Sequence, residues 1–233
     1  MKIKCGMILA AGLGKRMQPI TLKTPKPLIQ IGEKNLLDRA IDLLINHGVN
    51  EIAINVHRLA DQIKNFINKK RYEAKITIYH EKDMLLDTGG GIRNATKYFK
   101  EPFIVLNPDT LWSNIYSREL SELEDLYFKH RRACLLLVNK NLSFDSSFKG
   151  DFNHQNGMVS RDNSNDFIFT GLQILDQSVF SSIKDKTFSM NKIWNNLIKN
   201  NSLISIESNQ KFYHLNTKEM YDKILSLNIT RWK

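Results

Sequence analysis

The sequence predicts an α/β protein with a Rossmann-like, mostly parallel mixed sheet flanked by helices and a small lobe inserted in the last third. Three observations carry this. Apolar residues alternate between strand and helix spacing through the first two-thirds of the chain. Several strand segments are continuous apolar runs, as burial on both faces requires. Glycine-rich or carboxylate-bearing segments follow three strand-to-helix junctions, the rim where open α/β sheets bind ligands.

Residues 4–11 form the first apolar run. Leu36, Leu37, Ala40, Ile41 and Leu44 then recur at helical spacing, and Gly48 stands where a glycine stop belongs. Ile52, Ile54 and Val56 alternate as a strand, and Leu59, Ile63, Phe66 and Ile67 make the next helical stripe. Ile76 and Ile78 alternate again, followed by a loop ending in Gly89, Gly90 and Gly91. A short helix through Ala95 and Phe99 leads to a strand over 103–106, a helix carrying Leu120, Leu123, Leu126 and Tyr127, and a strand over 133–138. Residues 140–166 are polar, with Met158 and Val159 as a short strand. Strands over 167–175, 203–206 and 212–215 and helices over 191–199 and 217–227 complete the chain. The expectation is one domain, 1–233: a core over 1–139, a lobe over 140–216 that returns to the sheet, and a closing helical segment over 217–233. No internal repeat interrupts it.

Composition narrows the class. The 233 residues carry 34 Lys+Arg against 24 Asp+Glu, a net charge of +10, with 42% hydrophobic content, enough for a full core. No apolar run reaches the roughly 18 residues of a membrane-spanning helix. A strand starts almost at once, leaving no room for a signal peptide. Cys5 and Cys134 sit singly in apolar stretches, without metal or redox spacing. The expectation is a reduced, cytoplasmic protein. Such a charge suits nucleic acid, an anionic membrane or small anionic substrates. The lysines are scattered, however, and the dense run over 68–71 is a helix end, so neither a membrane nor a nucleic-acid partner is expected.

Small residues and glycines between Ala10 and Gly14 let backbone N–H groups approach an anion, and Lys15 and Arg16 add positive charge. The loop is not a P-loop, because Arg16 follows Lys15 where Ser or Thr would stand. Nor is it a dinucleotide fingerprint, because Met17 occupies the third glycine position. Ten residues on, Pro25 and Pro27 flank Lys26, which predicts a stiff, extended segment presenting a phosphate ligand.

From Leu9 to Leu28 the chain resembles the sugar-nucleotidyltransferase family, whose opening pattern is Leu-x-x-Gly-x-Gly-x-Arg-Leu/Met-x-Pro-Leu-Thr-x-x-x-Pro-Lys-Pro-Leu; Ile20 is the one departure. The resemblance implies synthesis of nucleoside-diphosphate sugars from a nucleoside triphosphate and a sugar 1-phosphate. Ala11, Gly12, Gly14, Lys15 and Arg16 would cradle the triphosphate, with Arg16, Lys26 and Asp109 as the catalytic groups. Thr88, Gly89 and Gly90 would lie by the base. Asn107, Gly150 and Asp166 would face the sugar, although Asp166 reads equally as a solvated residue at a strand start. The segments 86–92, 105–112 and 150–152 resemble the N-acetylmuramate α-1-phosphate uridylyltransferases of cell-wall recycling.

Asp109 ends a buried strand at the ligand-binding rim, where it is either a ligand or an Asx-turn after Pro108. The matching family aspartate binds Mg²⁺, which is held by one or two carboxylates plus substrate phosphates. The family's second metal aspartate is replaced here by His214, with Thr217 and Glu219 retained around it. Imidazole suits Mn²⁺ better than Mg²⁺. Either His214 is a ligand, or it is an ordinary histidine before a helix cap at Thr217 and Asp109 holds the ion with water. The family's sugar-phosphate lysine is missing, and Arg161 is a weak substitute; Trp112 either walls the sugar pocket or belongs to the core.

The reaction implied is in-line attack of the sugar phosphate on the α-phosphorus, with UTP and N-acetylmuramate 1-phosphate favoured. The rivals are guanylyl-, thymidylyl- or other uridylyltransfer to hexose 1-phosphates, phosphocholine cytidylyltransfer, or a non-catalytic basic nucleic-acid-binding or regulatory module on the same fold. Nothing in the sequence sets the oligomeric state.

Overall fold

Strand β1 (Cys5–Leu9) is apolar throughout and pairs on both sides, so its ends deliver the chain to the rim of a sheet rather than to its edge. The structure, a computed structural model, describes residues 2–227. Met1 and residues 228–233 of the predicted closing segment lie outside the described residues. After β1 come a short helix α1 (Ile20–Lys23), a ribbon of β2 (Gln30–Ile31) and β3 (Lys34–Asn35), and helix α2 (Leu36–His47). Asn35 caps α2 by accepting from Asp38 N at 2.8 Å, and Gly48 ends it at φ 102°. The alternation continues through β4 (Glu51–Val56), α3 (Ala60–Asn68), β5 (Lys75–His80), α4 (Asp87–Thr96), β6 (Phe103–Leu106), α5 (Ser117–His130) and β7 (Ala133–Asn139). The last third adds β8 (Asn153–Gln155), β9 (Met158–Ser160), β10 (Phe167–Leu175), α6 (Met190–Lys199), β11 (Leu203–Ser208) and α7 (Lys218–Ser226), which Thr217 caps.

The nine strands of the main sheet run in the order β5-β4-β1-β6-β10-β7-β11-β9-β8. Strands β5, β4, β1 and β6 are mutually parallel, and β11 is parallel to β7. Strand β10 enters antiparallel between β6 and β7, and β9 and β8 close the far edge antiparallel. The segment 140–216 therefore threads into the middle of the sheet as well as extending it.

Side chains on successive strand residues face opposite sides. Ile8, Ile104 and Leu136 pack with Leu37, Ile63 and Leu120 of α2, α3 and α5. Met7, Val105 and Leu135 pack with Ile92 of α4 and Ile193 and Trp194 of α6. Each such side chain contributes about 1.5–3 kcal/mol on burial. A third cluster, including Met17, Leu36, Leu111, Leu215 and Met220, fastens the glycine loop and α7 to the rim.

Two local expectations are corrected. Residues 212–215 form no strand; Phe212 and His214 make only isolated bridges, to Ser143 and Thr110. Gly89, Gly90 and Gly91 do not end a loop but lie within the first turns of α4. Their propensity opposes helix, yet a β-carbon on Gly89 would sit 2.4 Å from the Phe188 ring, on Gly90 2.6 Å from Lys186 O, and on Gly91 2.6 Å from Asn55 Nδ2. Close approach demands glycine here, and the docked segment repays it: Gly90 N donates to Phe188 O at 3.0 Å.

Gly90→Ala is therefore expected to destabilise the protein by about 1–3 kcal/mol through overpacking, against the usual gain of alanine over glycine in a helix. A urea denaturation midpoint equal to or above that of wild type would mean that the 186–188 segment gives way at no cost.

Candidate active site

The glycine loop leaves β1 because Ala10 N turns from the sheet to the side chain of Asn55, bonding Oδ1 at 2.9 Å. Gly14 adopts φ 60°, and Thr21 donates from Oγ1 to Gly14 O at 2.8 Å, with its methyl so close that a β-carbon on Gly14 would sit 2.8 Å from it. Met17, fully buried, pins the following turn. Lys15 and Arg16 are thereby left exposed beside a cleft of about 340 Å³ that Gly12, Gly14 and Lys26 also line. Gly12 differs from Gly14 and from Gly89 to Gly91: nothing lies within 4 Å of where its β-carbon would stand. The protein's own packing does not call for glycine there, whereas close approach of a ligand would.

The segment around Lys26 is stiff but not extended. Residues Lys26–Leu28 form a 3₁₀ turn in which Leu28 N bonds Pro25 O at 2.8 Å. Pro27 is tolerated in this first turn because no N–H is required of it. The turn directs Lys26 at Asp109, Nζ to Oδ2 2.7 Å, with 14% and 24% of the two side chains exposed to the cleft.

Asp109 is held by its own turn. Leu215 N donates to Asp109 O at 2.7 Å, Thr110 Oγ1 donates to Thr170 O at 2.5 Å, and Trp112 Nε1 donates to Asn107 O at 2.8 Å. Trp112 is fully buried against Tyr116, so it is core and does not wall a pocket. Gly171, in the bulge of β10, leaves room for Asn107, whose N bonds Gly171 O at 2.8 Å. The Thr110–His214 bridge brings His214 Nε2 to 3.0 Å from Asp109 Oδ2. Burial alone would raise the Asp109 pKa, but the Lys26 ammonium, followed by His214, outweighs it and holds the carboxyl well below the usual carboxylate range. This shift stabilises the fold in full above the unfolded carboxyl pKa, about 3.9, and the stabilisation is lost progressively as pH falls from there through the depressed folded value.

One atom of this group is open. Asp109 Oδ1 is buried with no hydrogen-bond partner among the described residues. Unpaired carboxylate oxygen fits a divalent cation whose remaining ligands are water and phosphate oxygens. No group of three or more His, Cys, Asp or Glu among the described residues is arranged to hold an ion. His214, expected either as a second ligand or as an ordinary histidine before the Thr217 cap, lies against the same carboxylate in an aromatic surround. His214 Nδ1 is buried with no hydrogen-bond partner among the described residues, its ring stacked on Phe212 and beside Phe148. A proton on Nε2, donated to Asp109, leaves only a bare lone pair in that aromatic cage, the cheaper of the two tautomers.

Of the residues expected from the sequence, the cleft gathers Ala11, Gly12, Gly14, Lys15, Arg16, Lys26, Thr88, Asn107 and Asp109 along its wall. Gly89 and Gly90 lie outside that lining, buried under the 186–188 segment. Gly150 lies outside it too and serves a turn at φ 79°, where a β-carbon would meet Asn165 O at 2.3 Å. Asp166 pairs with Lys140 at 2.7 Å. Arg161 is spent on Asn191, Asn195 and Asp151 O and lies over Phe152, so it is a clamp on α6. Sequence reasoning missed Asn55, Asp87 and Asn216, all of which line the cleft. Asn55 had a signal: a polar residue near the rim end of β4, after the apolar run 52–54.

The profile of the nucleotidyl transferase family matches residues 5–141, more than half of the chain. The chain belongs to this family. Among individual relatives, N-acetylmuramate α-1-phosphate uridylyltransferase of Caulobacter vibrioides is 27% identical over 221 residues, covering 91% of each chain. The protein of that description from Neisseria meningitidis serogroup B is 32% identical, covering 76% of this chain and 78% of its own. The crystal structure of HddC from Yersinia pseudotuberculosis complexed with GMP-PN superposes with a TM-score of 0.77 at 22% identity, covering 97% of this chain and all of that one. That likeness concerns the fold. No helix among the described residues is long and apolar enough to cross a membrane.

Gly12→Ala is expected to keep the wild-type melting temperature and raise the nucleotide KM roughly tenfold, the cost of one lost or misplaced hydrogen bond to an anion. Gly14→Ala should instead lower the melting temperature, since its positive φ and Thr21 both oppose a β-carbon. Thermal melts with nucleotide titrations separate the two.

Proposed function

We propose that this nucleotidyltransferase moves a uridylyl group from UTP to the 1-phosphate of N-acetylmuramate or a closely similar sugar, releasing pyrophosphate. The observation that carries the reading is the meeting of Lys26 and Asp109 beside a glycine loop with open space at Gly12. The sugar and base are supported by the two relatives that match most of this chain's length and act, by their descriptions, on N-acetylmuramate α-1-phosphate.

The chemistry asks little of a base, because the attacking phosphate oxygen is already anionic. It asks for two mutually repelling anions to be aligned and for the equatorial charge at the α-phosphorus to be met by fixed positive groups. Arg16 and Lys15, with the loop amides around Gly12, would bind the triphosphate. Lys26 would stabilise the transferring phosphoryl group. Asn107, at the end of β6, would hydrogen-bond the sugar. Asp109 would hold a Mg²⁺ or Mn²⁺ ion through its open oxygen, and such an ion supplies charge neutralisation at the phosphoryl oxygens. His214 would orient the carboxylate by donating to Oδ2.

The test is a panel of UTP, GTP, CTP and dTTP against sugar 1-phosphates, reading pyrophosphate release and product mass. Pyrophosphate release that depends on both UTP and N-acetylmuramate 1-phosphate is expected. Preference for another pair would reassign the substrates, and no release with any pair would remove the activity. Lys26→Ala should cost about 10²–10³ in turnover and also lower the melting temperature, because it leaves Asp109 without its main partner; unchanged turnover at saturation, assayed below that melting temperature, would take Lys26 out of the mechanism.

His214→Asp should lower the Mg²⁺ concentration required for half-maximal activity, because a second carboxylate adds a hard oxygen ligand and a negative charge. A metal titration of activity reads this directly; an unchanged midpoint would mean that position 214 does not face the ion.

A further inference from the structure

We infer that Asn55 and Glu81 are positioning residues that hold the two walls of the nucleotide cleft at their working separation. The inference rests on the reading of this cleft as the nucleotide site. Asn55 is 2% exposed and Glu81 5% exposed, and neither carries any of the chemistry assigned above. Asn55 Oδ1 accepts from Ala10 N at 2.9 Å, at the root of the glycine loop. Asn55 Nδ2 donates to Glu81 Oε1 at 2.7 Å. Glu81 Oε2 accepts from Leu86 N at 2.8 Å, at the residue that opens α4. The chain of bonds thus runs from one wall of the cleft, the loop carrying Gly12 to Arg16, to the other, the segment carrying Asp87 and Thr88.

The donor and acceptor roles leave no slack. Ala10 N and Leu86 N can only donate, so Asn55 must turn its oxygen to the loop and its amide nitrogen to Glu81. Glu81 then accepts at both oxygens, as a carboxylate does, next to the positive end of α4. Gly91 closes the arrangement from below, since a β-carbon there would come 2.6 Å from Asn55 Nδ2 and 2.9 Å from Glu81 Oε1. The helix rests directly on the polar pair, so displacement of either residue moves the loop amides relative to the start of α4. Buried polar networks of this kind specify one geometry because a partial set of bonds is costly. Their natural product in an anion-binding cleft is preorganisation: the amides are aimed before the nucleotide arrives.

The experiment exchanges the roles of the pair. Asn55→Asp alone sets two carboxylates face to face, and Glu81→Gln alone forces an amide nitrogen against either Asn55 Nδ2 or Leu86 N. Together they restore the pattern, with residue 55 accepting from both Ala10 N and the new amide, and residue 81 still accepting from Leu86 N. UTP binding is measured by calorimetry, and KM for UTP and for the sugar 1-phosphate are measured separately, below the melting temperature of each variant. Each single variant is expected to weaken UTP binding by about tenfold or more, with little change in the KM of the sugar phosphate, and the double variant to recover most of the loss. If a single variant does not fold, a double variant that folds and binds UTP within about threefold of wild type carries the same support. Single variants that melt lower but bind UTP as wild type does would make the network a packing feature and overturn the inference. So would a double variant no better than the worse single one in both melting temperature and UTP affinity. Absence of UTP binding by wild type would move the measurement to whichever of GTP, CTP or dTTP does bind, and absence of binding by all four would overturn the nucleotide reading and this inference with it.

Discussion

A single carboxylate oxygen, Asp109 Oδ2, is approached by Lys26 at 2.7 Å and by His214 at 3.0 Å, and the architecture of the rim follows from the need to bring those three segments together. Lys26 is separated from Asp109 by 83 positions in the chain. They meet because β1 and β6 are adjacent and parallel, so that the glycine loop and the Asn107–Asp109 turn leave the sheet side by side. His214 arrives from beyond β11 through its bridge to Thr110. Neighbouring charges of opposite sign lower the cost of keeping each other away from bulk water. In the free protein the lysine and the aspartate neutralise one another; in the proposed reaction the same two groups face phosphates and a metal ion.

The antiparallel insertion of β10 between β6 and β7 serves that rim. Its bulge at Gly171 makes room for Asn107 and hands it a carbonyl, while Thr170 takes the hydroxyl of Thr110. Trp112, with its indole on Asn107 O, nails the turn to the core from beneath. The candidate site residues at the end of β6, Asn107 and Asp109, are thus held by β10, by Trp112 and by the segment that carries Leu215.

Glycine does several jobs in and around the cleft. At Gly14 it permits a left-handed turn; at Gly89 to Gly91 it lets a segment and a polar pair lie against a helix; at Gly12 it answers to nothing in the protein itself. The distinction is physical, since the first two kinds are set by the fold, whereas the last leaves open space beside the cleft.

What the sequence determined by itself was the alternation of strands and helices, the end of α2 at Gly48, the basic loop after β1 and the placing of Asp109 at the ligand rim. These are encoded locally, in apolar period, in glycine and proline backbone limits, and in a twenty-residue pattern. What only the tertiary structure decided were matters of partners distant in sequence. Asn55 reads as one polar residue in an apolar strand until Ala10, Glu81 and Gly91 surround it. Arg161 reads as a weak substitute for the missing sugar-phosphate lysine until α6 supplies two asparagines. Three glycines read as a loop until Phe188 and Lys186 press on them and the helix closes in spite of its propensity. Periodicity says which face of an element is buried, but not against what, and the chemistry of a buried polar group is decided by the atoms that the fold brings within about 3 Å of it.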